Sequence, residues 1–374
     1  MNTSAAVRQV KVAIVGRTGG NSIQYTNLFK LPRPLFLAIA EDIYNTKRDQ
    51  QLKDYLLAHK LPEGTPHFSI SDLIRPPRMR VLMRRHFKEV IKDAAQDIYR
   101  ILGQAVHYFL REAAVHAQLE KEGYIAEDRM FCHLQIDGAT VVISGEPDIV
   151  TPEGVIEDYK VVAVGQWIKG AKEEWEQQTN SYAFLRTMRG LVTTGLRICY
   201  ILRDWKNSEA VQEGYPPAGG QTEDIRLWGV DEQKAWIEAR VKLHLGAEHS
   251  FDDDLPECTP SEMWEKPDAW AVIREGNKRA AKVFTPQRWI DGGKSSSEAK
   301  EATALEAGAD NIERNKNPKI LSGKEKPYYV EHRPGERTRC IRFCDARGFC
   351  SVHKEYASAA FGKVGNPDRV TENV

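Results

Sequence analysis

The sequence predicts an α/β protein, with a mixed central sheet flanked by helices. Two observations carry this. Between Asp93 and Trp205 the chain alternates helical periodicity with β-branched runs, in the order helix, three strands, helix, strand. Its 374 residues, 41% hydrophobic and 28% charged, can bury a sizeable core and still carry additions. The first helix runs from Asp93 past Ala114, because Ile98, Ile101, Leu102, Ala105 and Phe109 recur at helical spacing. Strands follow at 131–136, 140–144 and 155–162, each rich in β-branched or aromatic residues. A long helix covers 172–188, and LRICYILRDW is the strand after it.

The flanks are read the same way. Residues up to about 65 show turn signals and short apolar runs. VGRTGGNS lacks a following Gly-Lys-Ser/Thr, so it is a plain turn and no phosphate cradle. SISDLIRPPRMRVLMRRHFKEVIKD opens on Ser and Asp, passes two prolines and becomes a basic helix. NSEAVQEGYPPAGGQTED is a loop, DEQKAWIEARVKLHLGAE a helix, and WAVIREGNKRAAKVF a hairpin about Gly-Asn. KSSSEAKEATALEAGADN reads as an exposed polar helix and FGKVGNPDRVTENV as a disordered tail. The expected division is an extension over 1–65, a core over 66–250, a hairpin and cysteine region over 251–360, and a tail over 361–374.

Formal net charge is zero, so any polyanion-binding surface must come from local clustering. No run approaches the roughly 18 apolar residues of a membrane span. The opening MNTSAAVRQVKVAIVG lacks a secretory pattern, which predicts a cytosolic protein. Six cysteines in a reducing compartment point to metal or core roles, not to a disulfide framework.

One stretch carries chemistry: GEPDIVTPEGVIEDYKVV, Gly145 to Val162. Side chains alternate along a strand, so Ile156, Asp158 and Lys160 share one face and Val155, Glu157, Tyr159 and Val161 the other. Asp158 and Lys160 then stand about 6.6 Å apart along the strand, at roughly 3.3 Å per residue. Charges in an apolar run are costly unless paired or metal-bound. Asp148, Asp158 and Lys160 suit a metal-dependent phosphodiesterase centre. Carboxylate oxygens take a hard cation such as magnesium, and a lysine beside them orients water or offsets developing charge. The bland alternative is a salt bridge on an edge strand. Trp175, Gln178, Tyr182 and Leu185 form one stripe of the following helix, and an amide there needs a partner unless it lies at a solvated edge. Gly103 lies one turn before His107 and leaves room beside that ring, although a lone histidine is usually a satisfied core residue.

Pro147-Asp148 followed by Asp158-Tyr159-Lys160 resembles the PD-(D/E)XK nuclease motif. Gln178-Thr-Asn-Ser-Tyr182 is similar to the QxxxY element of its RecB-like branch, and Gly103-Gln-Ala-Val-His107 to that branch's GxxxH element. The four occur in the family's order over about eighty residues. The resemblance implies a restriction-endonuclease-like core, Asp148, Asp158, Lys160, Gln178 and Tyr182 in catalysis, and His107, Asp148, Asp158 and Tyr159 around Mg2+ or Mn2+.

RCIRFCDARGFC places Cys340, Cys344 and Cys350 within eleven residues. Thiolates that close in a cytosolic chain bind zinc or an iron–sulfur cluster. A fourth ligand is needed; Cys132 and Cys199 lie inside expected strands, which leaves Cys258 in its Pro-rich loop. This resembles the four-cysteine [4Fe-4S] clasp of AddB-type and CRISPR-associated RecB-like exonucleases, and the whole combination resembles bacteriophage-encoded members of the group. It departs from them in its Cys-x3-Cys spacing and in a distant cysteine that follows the catalytic motifs. A four-iron cluster, Zn2+ or no metal all remain open on the residues alone.

Arg75, Arg78, Arg80, Arg84, Arg85 and Lys88 form one basic cluster, and Arg333, Arg337, Arg339, Arg342 and Arg347 surround the cysteines. Of these, Arg78, Arg84, Arg85 and Arg342 are the expected DNA contacts; the hairpin tip from Gly276 to Arg279 is a weaker one. The expected function is a metal-dependent DNA nuclease, an exonuclease on single strands or duplex ends. It would act in DNA processing or recombination, in the cytoplasm of a bacterial host if phage-encoded, with a recombination or replication partner protein and no membrane. The alternatives are a non-catalytic DNA-binding or assembly module of the same fold and a zinc-stabilised adaptor.

Overall fold

A computed structural model describes residues 24–28, 30–40 and 45–361. The VGRTGGNS turn and the tail beyond Phe361 lie outside them. The chain divides into two compact units, one ending at Pro256 and the other beginning at Glu257. The sequence expectation places its boundaries at 65, 250 and 360.

The first unit opens with a short parallel pair, Gln24–Thr26 beside Ile91–Asp93. Then follow β1 (His67–Ser69), α1 (Pro77–His86), α2 (Ile98–His116), β2 (Ile125–Ala126), β3 (Met130–Ile136), β4 (Ala139–Gly145), β5 (Ile149–Val150), β6 (Val155–Val162), α3 (Glu173–Met188), β7 (Gly195–Leu202), β8 (Gly220–Ile225) and α4 (Val230–Glu248). The helix expected from Asp93 begins at Ile98. Asp93 instead caps a 3-10 turn, its carboxylate accepting the Ala95 amide at 3.0 Å. The stretch expected as a loop ends in β8, a polar edge strand with no apolar run to betray it.

The single mixed sheet expected from the element order is two sheets, β1-β4-β3 and β8-β7-β6-β5-β2. They are joined by one long hairpin whose register never slips. Ala126 faces Ile149, and four residues further along each strand Met130 faces Gly145. The ladder opens only where Glu127-Asp128-Arg129 stands opposite Glu146-Pro147-Asp148. Proline offers no amide to the ladder, which accounts for the gap. Beyond it β6 and β7 run parallel, with α3 as their crossover.

The core is packed between strands and helices, with Ile143, Ile156, Phe184, Leu185, Leu196, Ile237 and Val241 in one cluster. The polar residues buried on α3 are satisfied locally. Thr179 donates to the Trp175 carbonyl at 2.9 Å, and Asn180 bridges to Arg226 and Trp228. His244 on α4 is fully buried, its Nε2 3.4 Å from the Leu73 carbonyl, and burial lowers its pKa to about 4. The fold thus accommodates the neutral ring. Its contribution is present above the unfolded value of 6.5 and is lost as pH falls from there toward about 4. Urea denaturation across that window should show the loss, and His244→Leu should flatten it.

In the second unit, β9 (Ala269–Arg274) and β10 (Ala280–Phe284) form the expected hairpin. It is followed by α5 (Ser296–Asn315), β11 (Tyr328–Arg333), α6 (Thr338–Arg342) and α7 (Ser351–Phe361). β11 adds to the free edge of β9, giving the order β10-β9-β11. α5 starts at a capping box of Ser295 and Glu298. It is not fully exposed as expected: Ala299, Thr303 and Ala307 are buried, and Ala307 packs with Val272 and Phe284. Small side chains at that spacing hide an inward face from a hydropathy reading. Among the described residues no helix is long and apolar enough to cross a membrane.

Candidate active site

The gap in the long hairpin is where the acidic residues meet. By the β5–β6 register, Tyr159 lies opposite Pro147, beyond the paired residues of β5. Its amide donates instead to Asp148 Oδ2 at 2.8 Å. Asp148 Oδ1 accepts from His107 Nδ1 at 3.1 Å, so α2 is tied to the same carboxylate. Lys160 Nζ stands 2.5 Å from Asp158 Oδ2. It also donates to Gln178 Oε1 at 3.1 Å, and Gln178 Nε2 donates to the Tyr182 hydroxyl at 2.8 Å. His107, Asp148, Asp158, Lys160, Gln178 and Tyr182 therefore come together from α2, the hairpin, β6 and α3.

Burial sets the electrostatics. Asp158 is 1% exposed, and desolvation raises its pKa from 3.8 to about 6 despite Lys160. Its Oδ2 has that ammonium as a neighbour but accepts no aligned hydrogen bond. His107 is raised, first by its hydrogen bond to Asp148. Tyr182 is raised by burial, with both aspartates adding to it, and stays a phenol. On the opposite strand face Glu157 pairs with Arg197 at 3.2 Å and accepts from the Tyr159 hydroxyl at 3.1 Å. The Tyr159 ring thus points away from the carboxylates, and its peptide amide is the group that reaches Asp148.

The chemistry of these donors fits a hard divalent cation. Asp158 has a buried carboxylate oxygen without an aligned donor, and Asp148 lies beside it in charge coupling. Among the described residues no three His, Cys, Asp or Glu side chains are arranged to hold a metal ion. Magnesium does not require such a cage, since it is bound through one or two carboxylates and keeps several waters.

Three neighbours of the site escaped the sequence reading. Gly145 has no room for a side chain: a Cβ would lie 2.8 Å from the Tyr182 ring and from Leu185 Cδ1. Its place one residue before Glu146-Pro147-Asp148 was a usable signal. Arg129 pairs with Glu146, and Glu127 with Arg111, but nothing local in the sequence announces either pair. If Gln178 and Tyr182 serve the site, Gln178→Ala should cut cleavage about tenfold to a hundredfold with a small change in Tm. Tyr182→Phe should do less, because only the acceptor for Gln178 is lost. Specific activity measured beside thermal melts checks both.

The basic cluster on α1 is spent inside the fold. Arg78 is 2% exposed and donates to the Leu255 and Asp252 carbonyls, so it is no DNA contact. Arg80 and Arg84 pair with Glu248, and Arg85 with Asp252 at 2.6 Å. Acidic residues at and just after the end of α4, distant in sequence, pair with three of these arginines, two of which share Glu248. In the second unit Arg342 keeps 61% of its side chain exposed while pairing with Glu336 at 3.2 Å.

Cys132 and Cys199 are buried in β3 and β7 of the first unit. Cys258, Cys340, Cys344 and Cys350 all belong to the second unit. They lie within electrostatic reach of one another: after burial and Glu262, the other three thiols each help raise Cys258 to about 12. Burial likewise raises Cys344 to about 12. Among the described residues they form no group arranged to hold a metal ion.

No family model matches the chain. No curated protein matches it either. Among solved structures, one described as the crystal structure of SSO0001 is similar at 16% identity and TM-score 0.39, over 59% of this chain and 89% of that one.

Proposed function

We propose that the chain is a metal-dependent DNA nuclease with a PD-(D/E)XK-type centre of the RecB-like branch, acting as an exonuclease. The observation that carries this is the run of contacts from Asp158 through Lys160 and Gln178 to Tyr182, with Asp148 held beside it by the Tyr159 amide. A buried carboxylate lifted toward neutral pH beside a lysine fits a functional centre better than a structural ion pair. Asp148 and Asp158 would hold Mg2+ or Mn2+, with His107 and the Tyr159 peptide around them. When bound, such a cation polarises a phosphate oxygen and acidifies water.

The chain's own residues do the rest. The Tyr159 amide fixes Asp148, and Gln178 fixes Lys160, whose ammonium can donate to a phosphate oxygen or to the attacking water. Water oxygen bonds to phosphorus and gives up a proton to solvent, the bond to the leaving sugar oxygen breaks, and that oxygen takes a proton from solvent water. DNA, as single strands or duplex ends, is the proposed substrate, within processing or recombination alongside a partner protein. The four second-unit cysteines are proposed to hold a [4Fe-4S] cluster, with Zn2+ as the alternative occupant. The test is digestion of end-labelled single- and double-stranded DNA with and without Mg2+. Magnesium-dependent loss of label supports the reading, whereas DNA binding without cleavage favours a non-catalytic module.

A further inference from the structure

We propose that Glu127-Asp128-Arg129 is a positioning clasp that holds Asp148 in place by tying the gap in the hairpin to both helices of the site. Each of the three residues grips a different element. Glu127 accepts from Arg111 Nη1 at 3.3 Å, and Arg111 lies one turn beyond His107 on α2. Asp128 accepts from Arg189 Nη1 at 2.6 Å. Arg189 caps the end of α3, the helix of Gln178 and Tyr182, and its Nη2 also donates to the Arg129 carbonyl at 2.9 Å. Arg129 pairs across the gap with Glu146, two residues before Asp148. The Glu127 amide donates to the Asp148 carbonyl at 3.1 Å, which keeps the interrupted strands in register.

The backbone agrees. Glu127 has a φ of 48°, a conformation that a side-chain-bearing residue adopts only when its surroundings impose it. The three pairs are not equal. Arg189–Asp128 is largely exposed, with side chains 34% and 46% accessible, and such pairs contribute little. Arg129 is 8% accessible, and its Nε has no hydrogen-bond partner, so its guanidinium depends on Glu146. Arg129 is therefore the principal positioning residue, Glu127 the second, and the Asp128 side chain dispensable.

The consequence for catalysis rests on the nuclease reading, but the clasp does not. Amide exchange of Tyr159 reports directly on whether Asp148 Oδ2 is in place. In Arg129→Met that amide should exchange about tenfold faster, while the amides of β3 and β7 keep their protection. Mn2+ affinity measured by calorimetry should weaken about tenfold. The cleavage kcat should fall by a similar factor at unchanged KM for DNA. Arg129→Lys should recover most of each loss, and Asp128→Asn should resemble the wild type. Glu127→Gln provides a second variant of nearly unchanged shape. The proposal is overturned if Tyr159 in Arg129→Met and Glu127→Gln stays as protected as in the wild type. It is equally overturned if all core amides lose protection together, since Arg129 would then be ordinary structure. Should Tyr159 loosen in a protein whose wild type cleaves no DNA, the clasp stands and the nuclease reading falls.

Discussion

Asp158→Asn is expected to abolish magnesium-dependent DNA cleavage, by about 10³ or more, without lowering Tm at pH 7. The substitution keeps shape and removes charge at a position that is 1% exposed. Lys160 loses its ion-pair partner but retains Gln178 and a 20% exposed side chain, so its charge is not stranded. The carboxylate is the costlier group to bury, as its raised pKa shows. The sign follows from that shift. A folded pKa near 6 lies above the ordinary 3.8, so Asp158 contributes stability that is complete below 3.8 and lost as pH rises through about 6. Any gain in Tm for the amide variant should therefore appear above pH 6 and disappear in acid.

Activity should run the other way. Wild-type cleavage should fall as pH drops through about 6, because the carboxylate takes up a proton and no longer offers its charge. Raising Mg2+ should move that limb to lower pH by mass action. Thermal melts and a pH–rate profile at two magnesium concentrations decide the matter. Cleavage by Asp158→Asn at the wild-type rate would remove Asp158 from the centre.

What the sequence made legible follows its periodicities. The 155–162 strand and the 172–188 helix carry long, one-signed patterns, and their observed bounds differ from the expected ones by at most one residue. The alternation that puts Asp158 and Lys160 on one face needs only the geometry of a strand. A stripe one helix long put Gln178 on an apolar face in need of a partner, and the structure supplies Lys160. Illegible features depended on partners distant in sequence. Glu248 and Asp252 pair with Arg84 and Arg85 from more than 160 residues away. β11 joins β9 across an intervening helix, and the Arg129–Glu146 pair exists only because the hairpin keeps its register across a gap. Charge runs read alone give a surface; only the fold tells which charges are already matched.

The cluster proposed for the second-unit cysteines predicts that Cys258→Ser releases bound metal and lowers the Tm of that unit by about 10 °C or more. Its main cluster has Val272, Phe284 and Ala307 buried, with Trp270, Tyr328 and Val330 packed against them. Such a small core usually needs a staple. Some eighty residues separate Cys258 from Cys340, so a shared ligand set would close a long loop and convert metal affinity into folding free energy. Without metal the thiols are neutral, because burial raises Cys258 and Cys344 to about 12 and also raises Cys340. Binding must therefore displace protons, and metal retention should weaken as pH falls. Elemental analysis separates iron from zinc, and visible absorbance reports an intact iron–sulfur cluster. Cys199→Ala, altering a buried strand residue, should leave metal content unchanged. Retention of full metal content by Cys258→Ser, or a wild-type protein free of both metals, would end the clasp proposal. The nuclease reading would survive either result, since Asp148, Asp158 and Lys160 are held by contacts within the first unit.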